Sequence, residues 1–135
     1  MDLTTTIFLI DDDAVYRYGM QKKLRAQLSD VNIIPFKNGL EALEYLANES
    51  REIAYPDLIL VDINMPIMNG WEFLNELDKL ELNTEKETSL YVVSNFSEIA
   101  LKEICKSFNF IKGYLQKPID LKASTTEMGG LSIAV

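Results

Sequence analysis

Two periodicities run along this chain. Short apolar-rich runs occur at Thr5-Thr6-Ile7-Phe8-Leu9-Ile10, Val31-Asn32-Ile33-Ile34-Pro35-Phe36, Leu58-Ile59-Leu60-Val61 and Ser89-Leu90-Tyr91-Val92-Val93. Runs of that length between polar breakers predict strands, and those without polar alternation predict strands buried on both faces. A shorter fifth strand is expected over Lys112-Gly113-Tyr114-Leu115-Gln116-Lys117, stopped by Pro118. Pro35 lacks a donor for a sheet ladder, which assigns the second strand to a sheet edge.

Between these runs the apolar spacing becomes helical. Tyr16, Met20, Leu24 and Leu28 recur at steps of four; Leu40, Leu43, Leu46 and Ala47 share a face behind an Asn38-Gly39 start. Phe73, Leu74, Leu77 and Leu80 give a third stripe, and Leu101, Ile104, Cys105 and Phe108 a fourth, opened by Ser97 and Glu98. Gly19 weakens the first helix by roughly 1 kcal/mol relative to Ala, which four well-placed apolar residues outweigh.

Strands alternating with helices predict βαβ units, a parallel sheet and helices on both of its faces. Five strands with short connections suit an α/β, flavodoxin-like, doubly wound sheet of order 2-1-3-4-5. A fifth helix is expected to begin at Ile119-Asp120-Leu121-Lys122-Ala123, short or irregular, because Ser124 to Gly130 has no apolar stripe and ends in two glycines. The expected organisation is one domain over 1–123 and a frayed or appended tail over 124–135.

Composition narrows the chemistry. The chain of 135 residues is of single-domain size and long enough to bury a core. No apolar run approaches the roughly 20 residues that span a bilayer, and the N-terminus lacks the basic and greasy regions of a signal peptide, so no membrane association is expected. The single cysteine, Cys105, permits no internal disulfide and suits a reducing cytoplasm; its place in a helical stripe makes it a core residue. Without histidine, His-based triads and His-ligated metals are excluded. A net charge of −8 argues against direct nucleic-acid binding and is compatible with a divalent cation or a basic partner.

The polar residues that remain sit at strand ends. Asp62 follows Leu58 to Val61, where alone it reads equally as a cap or as a reactive group. Asp11 and Asp12 end the first strand, Ser94 the fourth and Lys117 the fifth, with Asp13 left as the cap of the first helix. In a parallel sheet those ends share the edge where such folds bind ligands. Independent caps would not require carboxylates, a hydroxyl and a lysine to meet there, so the convergence favours function. Clustered carboxylates repel, a divalent cation relieves the repulsion, and all-oxygen donors favour Mg2+ or Mn2+ over zinc. A carboxylate can also attack phosphorus, with a metal and an ammonium neutralising the phosphoryl oxygens.

The quartet Ile10-Asp11-Asp12-Asp13, Pro56 to Gly70, Val92-Val93-Ser94 and Gly113-Tyr114-Leu115-Gln116-Lys117-Pro118, in that order, resembles the receiver domain of bacterial two-component response regulators. The resemblance covers residues 5 to about 123. It implies that Asp62 accepts a phosphoryl group, that Asp11, Asp12 and Asp62 hold Mg2+ with Asp12 the more direct ligand of the acidic pair, and that the Asn64 backbone carbonyl is a further ligand. It also implies that Ser94 is a switch hydroxyl, Tyr114 a switch aromatic, Lys117 a phosphate-contacting lysine, and Lys117-Pro118 a cis peptide. Phe96 is expected to shield the acyl phosphate from water.

The implied partners are a sensor histidine kinase or histidine phosphotransfer protein and an unknown downstream protein. The expected product is a stand-alone messenger or relay, or equally a receiver cut from a longer regulator. A metal-dependent phosphohydrolase with an aspartate nucleophile would need an acid two residues past Asp62, where Asn64 stands. A flavin protein would need a Ser/Thr/Gly-rich phosphate loop after the first strand, where Asp11-Asp12-Asp13 stands instead. The expectation is therefore a phospho-accepting module and not a metabolic enzyme.

Overall fold

The computed structural model describes residues 4–47, 56–63, 68–79, 88–95 and 97–117. In chain order the elements are β1 (Thr5–Ile10), α1 (Ala14–Gln27), β2 (Val31–Phe36), α2 (Gly39–Ala47), β3 (Leu58–Asp62), α3 (Gly70–Lys79), β4 (Ser89–Ser94), α4 (Glu98–Lys106) and β5 (Ile111–Gln116). The expected fifth helix, Leu80 and the tail from Ser124 lie outside the described residues.

All four strand pairings are parallel, and the sheet order is β2-β1-β3-β4-β5. This is the flavodoxin-like order expected from the alternating pattern. Pro35 lies on an edge strand, where its missing N–H costs no interior ladder bond. β3 is central, and all five of its residues are buried, which explains its lack of polar alternation.

Side chains alternate across a strand, so the sheet divides its apolar residues into two cores. Phe8, Ile10, Ile59, Val61, Leu90 and Val92 point to one face, packed with Ala42, Leu43, Phe73, Leu74, Leu77, Leu101 and Ile104 of α2, α3 and α4. Ile7, Leu9, Leu58, Leu60, Tyr91, Val93 and Leu115 point to the other, against Met20 and Leu24 of α1.

Helix starts follow local chemistry. The Asp13 carboxylate accepts from the backbone N–H of Val15 and Tyr16, which makes it the cap of α1. Asn38 caps α2 by accepting the Glu41 N–H, while the Glu41 carboxylate reaches back to the Lys37 N–H; Asn69 and Glu72 form a reciprocal capping box on α3. Ser97 caps α4. One expected stripe is corrected. Leu40 is 41% exposed and Ala47 is exposed too; of the expected face Leu43 is buried and Leu46 partly buried, and Gly39 and Ala42 complete the buried side of α2. Gly39 lies so close to Phe73 that the helix presents the i, i+3, i+4 face containing that glycine to α3.

Gly70 opens α3 against the end of β3, its N–H donating to the Ile63 carbonyl at 2.7 Å. A Cβ there would stand 2.4 Å from the Ile63 Cα, a backbone contact that no side-chain adjustment relieves. Gly19, by contrast, has no heavy atom within 4 Å of its Cβ position among the described residues. In urea denaturation Gly70→Ala should destabilise by about 2 kcal/mol or more, as overpacking does. Gly19→Ala should stabilise by about 0.5–1 kcal/mol.

Candidate functional site

The strand order reverses on either side of β1, so the crevice between the C-terminal ends of β1 and β3 is the switch point of the sheet. Register then decides which residues meet there. Ile10 pairs with Val61, so Asp11 follows β1 level with Asp62 at the end of β3. Ser94 pairs with Gln116, so Lys117 follows β5 one step past Ser94, its N–H bonded to the Ser94 carbonyl at 2.9 Å.

These residues form one ionic cluster. Asp11, Asp12 and Asp62 each present a carboxylate oxygen within 4.8 Å of the others. Asp11 and Asp62 are buried, whereas Asp12 is exposed. The Lys117 ammonium lies 2.7 Å from Asp11 Oδ2 and 3.4 Å from Asp62 Oδ2. Asp11 Oδ1 accepts the N–H of Asp13 at 2.9 Å, so both Asp11 oxygens are engaged. Burial of the Lys117 ammonium works to lower its pKa. The hydrogen bond and charge of Asp11, with the charge and hydrogen bond of Asp62, outweigh burial and hold it above its ordinary value.

Three hard oxygen donors close together, one open to solvent, fit a divalent cation of the Mg2+ or Mn2+ type. The same geometry offers Asp62 as a nucleophilic carboxylate beside a fixed positive charge.

Strand alternation splits the remaining candidates. Asp62 is two residues past Leu60 and so shares the α1 side of the sheet, while Ser94 is two past Val92 and shares the α4 side. Ser94 is 1% exposed. Tyr114 pairs in register with Val92 and is partly buried against the same α4-side core. Ser94 and Tyr114 thus belong to one face and the ionic cluster opens from the other. Asn64, Phe96 and Pro118, with the expected cis Lys117-Pro118 bond, lie outside the described residues.

Two site residues escaped the sequence pattern. Arg17, which lies off the apolar stripe of the first helix, donates from Nη1 to the Asp11 backbone carbonyl. Tyr16, read as one rung of an apolar stripe, has its ring 4.1 Å below the Lys117 ammonium. Burial, then the charges of Asp11 and Asp62, push the Tyr16 hydroxyl far above the ordinary tyrosine range. The available signal was position: both side chains stand in the first turn of a helix that starts at the acidic triplet. Cys105 is half-buried, and burial pushes its thiol pKa up, as befits a packing residue.

A family model described as the response regulator receiver domain matches residues 7–128, most of the chain. The chain is 34% identical over 119 residues to the probable transcriptional regulator ycf29 of Porphyra purpurea, covering 87% of this chain and 52% of that one. It is also 34% identical over 116 residues to the nitrate/nitrite response regulator protein NarL of Escherichia coli, covering 85% of this chain and 49% of NarL. The chain therefore spans about half the length of these curated relatives. A two component response regulator from Cytophaga hutchinsonii superposes with a TM-score of 0.82 at 21% identity, covering 96% of this chain and 97% of that one. The chemotaxis protein CheY4 of Vibrio cholerae gives 0.75 at 20% identity, covering 95% and 98%. At these identities the structural likeness is one of fold. No helix among the described residues is long and apolar enough to cross a membrane.

Lys117 has a raised pKa in the folded chain, so the stability it contributes is full below its ordinary value of 10.5. That contribution is lost as pH rises through the higher folded value. Urea denaturation from about pH 8 to about pH 12 should therefore show a steeper alkaline decline in wild type than in Lys117→Met. At neutral pH, Lys117→Met should be the less stable protein, since it leaves two buried carboxylates without their cation.

Proposed function

The chain belongs to the response regulator receiver domain family, a signalling module of two-component systems, and from that premise we propose that Asp62 is its phospho-accepting residue. One observation carries the reading: a buried Asp62 stands at the switch point among two further carboxylates, with a lysine bridging it to Asp11. Asp11, Asp12, Asp62 and the Asn64 backbone carbonyl are the groups that would hold Mg2+. When bound, the ion supplies positive charge to the phosphoryl oxygens.

An Asp62 oxygen attacks the phosphorus of a phosphohistidine or acyl phosphate. The new P–O bond forms as the donor's P–N or P–O bond breaks, and the donor leaves with that electron pair. Lys117, already 3.4 Å from Asp62, neutralises the product's added charge of roughly −1.5 to −2. Ser94 follows as a hydroxyl donor, and Tyr114, on the same face of the sheet, moves inward as Ser94 turns. The result is a population shift at the surface of α4, β4 and β5 that changes partner binding.

The donor in this reading is a sensor histidine kinase or a histidine phosphotransfer protein in the cytoplasm. The autoinducer 1 sensor kinase/phosphatase LuxN of Vibrio campbellii, 31% identical over 125 residues, supports that pairing, since the chain matches 13% of that kinase's length. The downstream partner in this reading is a protein that binds the surface of α4, β4 and β5.

Incubation with a small acyl phosphate and Mg2+, followed by intact-mass measurement, should reveal one added phosphoryl group. The adduct should be absent in Asp62→Asn and after chelation of the metal. Unmodified wild type, under conditions where other receivers react, would refute the proposal.

A further inference from the structure

The Lys117 ammonium has a third neighbour besides its two carboxylates. Its nitrogen lies 4.1 Å from the centroid of the Tyr16 ring, while standing 2.7 Å from Asp11 Oδ2 and 3.4 Å from Asp62 Oδ2. An ammonium has three N–H donors. Two carboxylate oxygens can take two of them, and the ring's π face is the partner within reach of what remains. Lysine ends a flexible four-carbon stem, and this side chain is still 22% exposed, so it has open water to swing into. The aromatic face opposes that swing.

The placement of Tyr16 is tight. It lies in the first turn of α1, three residues past the Asp13 cap, and packs against the core shared by β1, β3 and α1. Its hydroxyl is buried and has no hydrogen-bond partner among the described residues. Simple core filling would be served as well by a residue without that polar atom. The feature of Tyr16 that the structure does use is the ring face.

We propose that Tyr16 is a positioning residue for Lys117, its ring seating the ammonium across Asp11 and Asp62. This rests on the reading of that edge as the phospho-accepting site, where a pre-placed ammonium spares reorganisation as negative charge arrives on Asp62. Tyr16 itself need not touch the phosphoryl group. It acts through the lysine.

Two measurements on the full chain test this. A ring face above an ammonium shifts the neighbouring methylene resonances upfield, so the Lys117 ε-methylene signals should lie upfield of the chain's exposed lysines. That displacement should persist in Tyr16→Phe and vanish in Tyr16→Leu. Phosphorylation of Asp62 by acetyl phosphate and Mg2+, timed by intact mass, should run at the wild-type rate in Tyr16→Phe. It should be roughly threefold to tenfold slower in Tyr16→Leu. Tyr16→Met, which is apolar and adaptable, takes the place of the leucine variant if that one fails to fold.

Absence of the upfield displacement in wild type overturns the proposal. So does a ring-free variant that reacts at the wild-type rate, or a Tyr16→Phe as slow as Tyr16→Leu, which would make the hydroxyl the active feature. If wild type accepts no phosphoryl group, the phospho-acceptor reading fails instead. The methylene shifts then still decide whether Tyr16 seats Lys117.

Discussion

Two buried carboxylates at neighbouring strand ends are the constraint to which the rest of the site answers. Asp11 and Asp62 are both almost inaccessible, and strands β1 and β3 bring them side by side. Left alone, they would repel each other in a medium that screens charge poorly. Lys117 resolves this by bridging them from β5, two strands away from β3. Removing one partner from a buried ionic group costs roughly 3–5 kcal/mol, and the partial exposure of Lys117 puts this bridge toward the low end or below it. The bridge therefore serves poorly as a source of net stability, and better as a way of keeping reactive charge in a fixed place.

The sheet separates the site's two tasks. Alternation along β3 and β4 sends Asp62 to the α1 side and Ser94 to the α4 side. Charge chemistry is concentrated on one side, where Tyr16, Arg17 and Lys117 surround the acidic cluster. On the other, Ser94 shares a face with Tyr114, which packs against the core that holds Leu101 and Ile104 of α4. In the proposed function, a charge change at Asp62 reaches α4 by crossing from one face to the other at the end of β4. Adjacency of Ser94 and Lys117 through a backbone hydrogen bond gives that crossing a short physical route.

The elements were legible because their signals are local. Unbroken apolar character gave β3, a step of four gave α1, and Asp13 and Ser97 announced helix starts by their own side-chain bonds. Leu40 was misplaced because periodicity fixes the spacing of a stripe and not its phase; the close approach of Gly39 to Phe73 chose the face. Tyr16 was hidden for a related reason. An aromatic at a stripe position looks like packing, and only the arrival of Lys117 from a strand a hundred residues later gives its ring another use.

What the sequence determined by itself, then, was the alternation of strands and helices, the edge position of β2, and the presence of three carboxylates, a hydroxyl and a lysine at strand ends. Those follow from side-chain period, backbone donors and the chemistry of single residues. Tertiary structure alone decided that Asp11 stands level with Asp62, that Lys117 spans them and that Tyr16 lies beneath it. Register and crossover order govern these contacts, and both depend on how whole strands pair and pack. No window of local sequence contains that information.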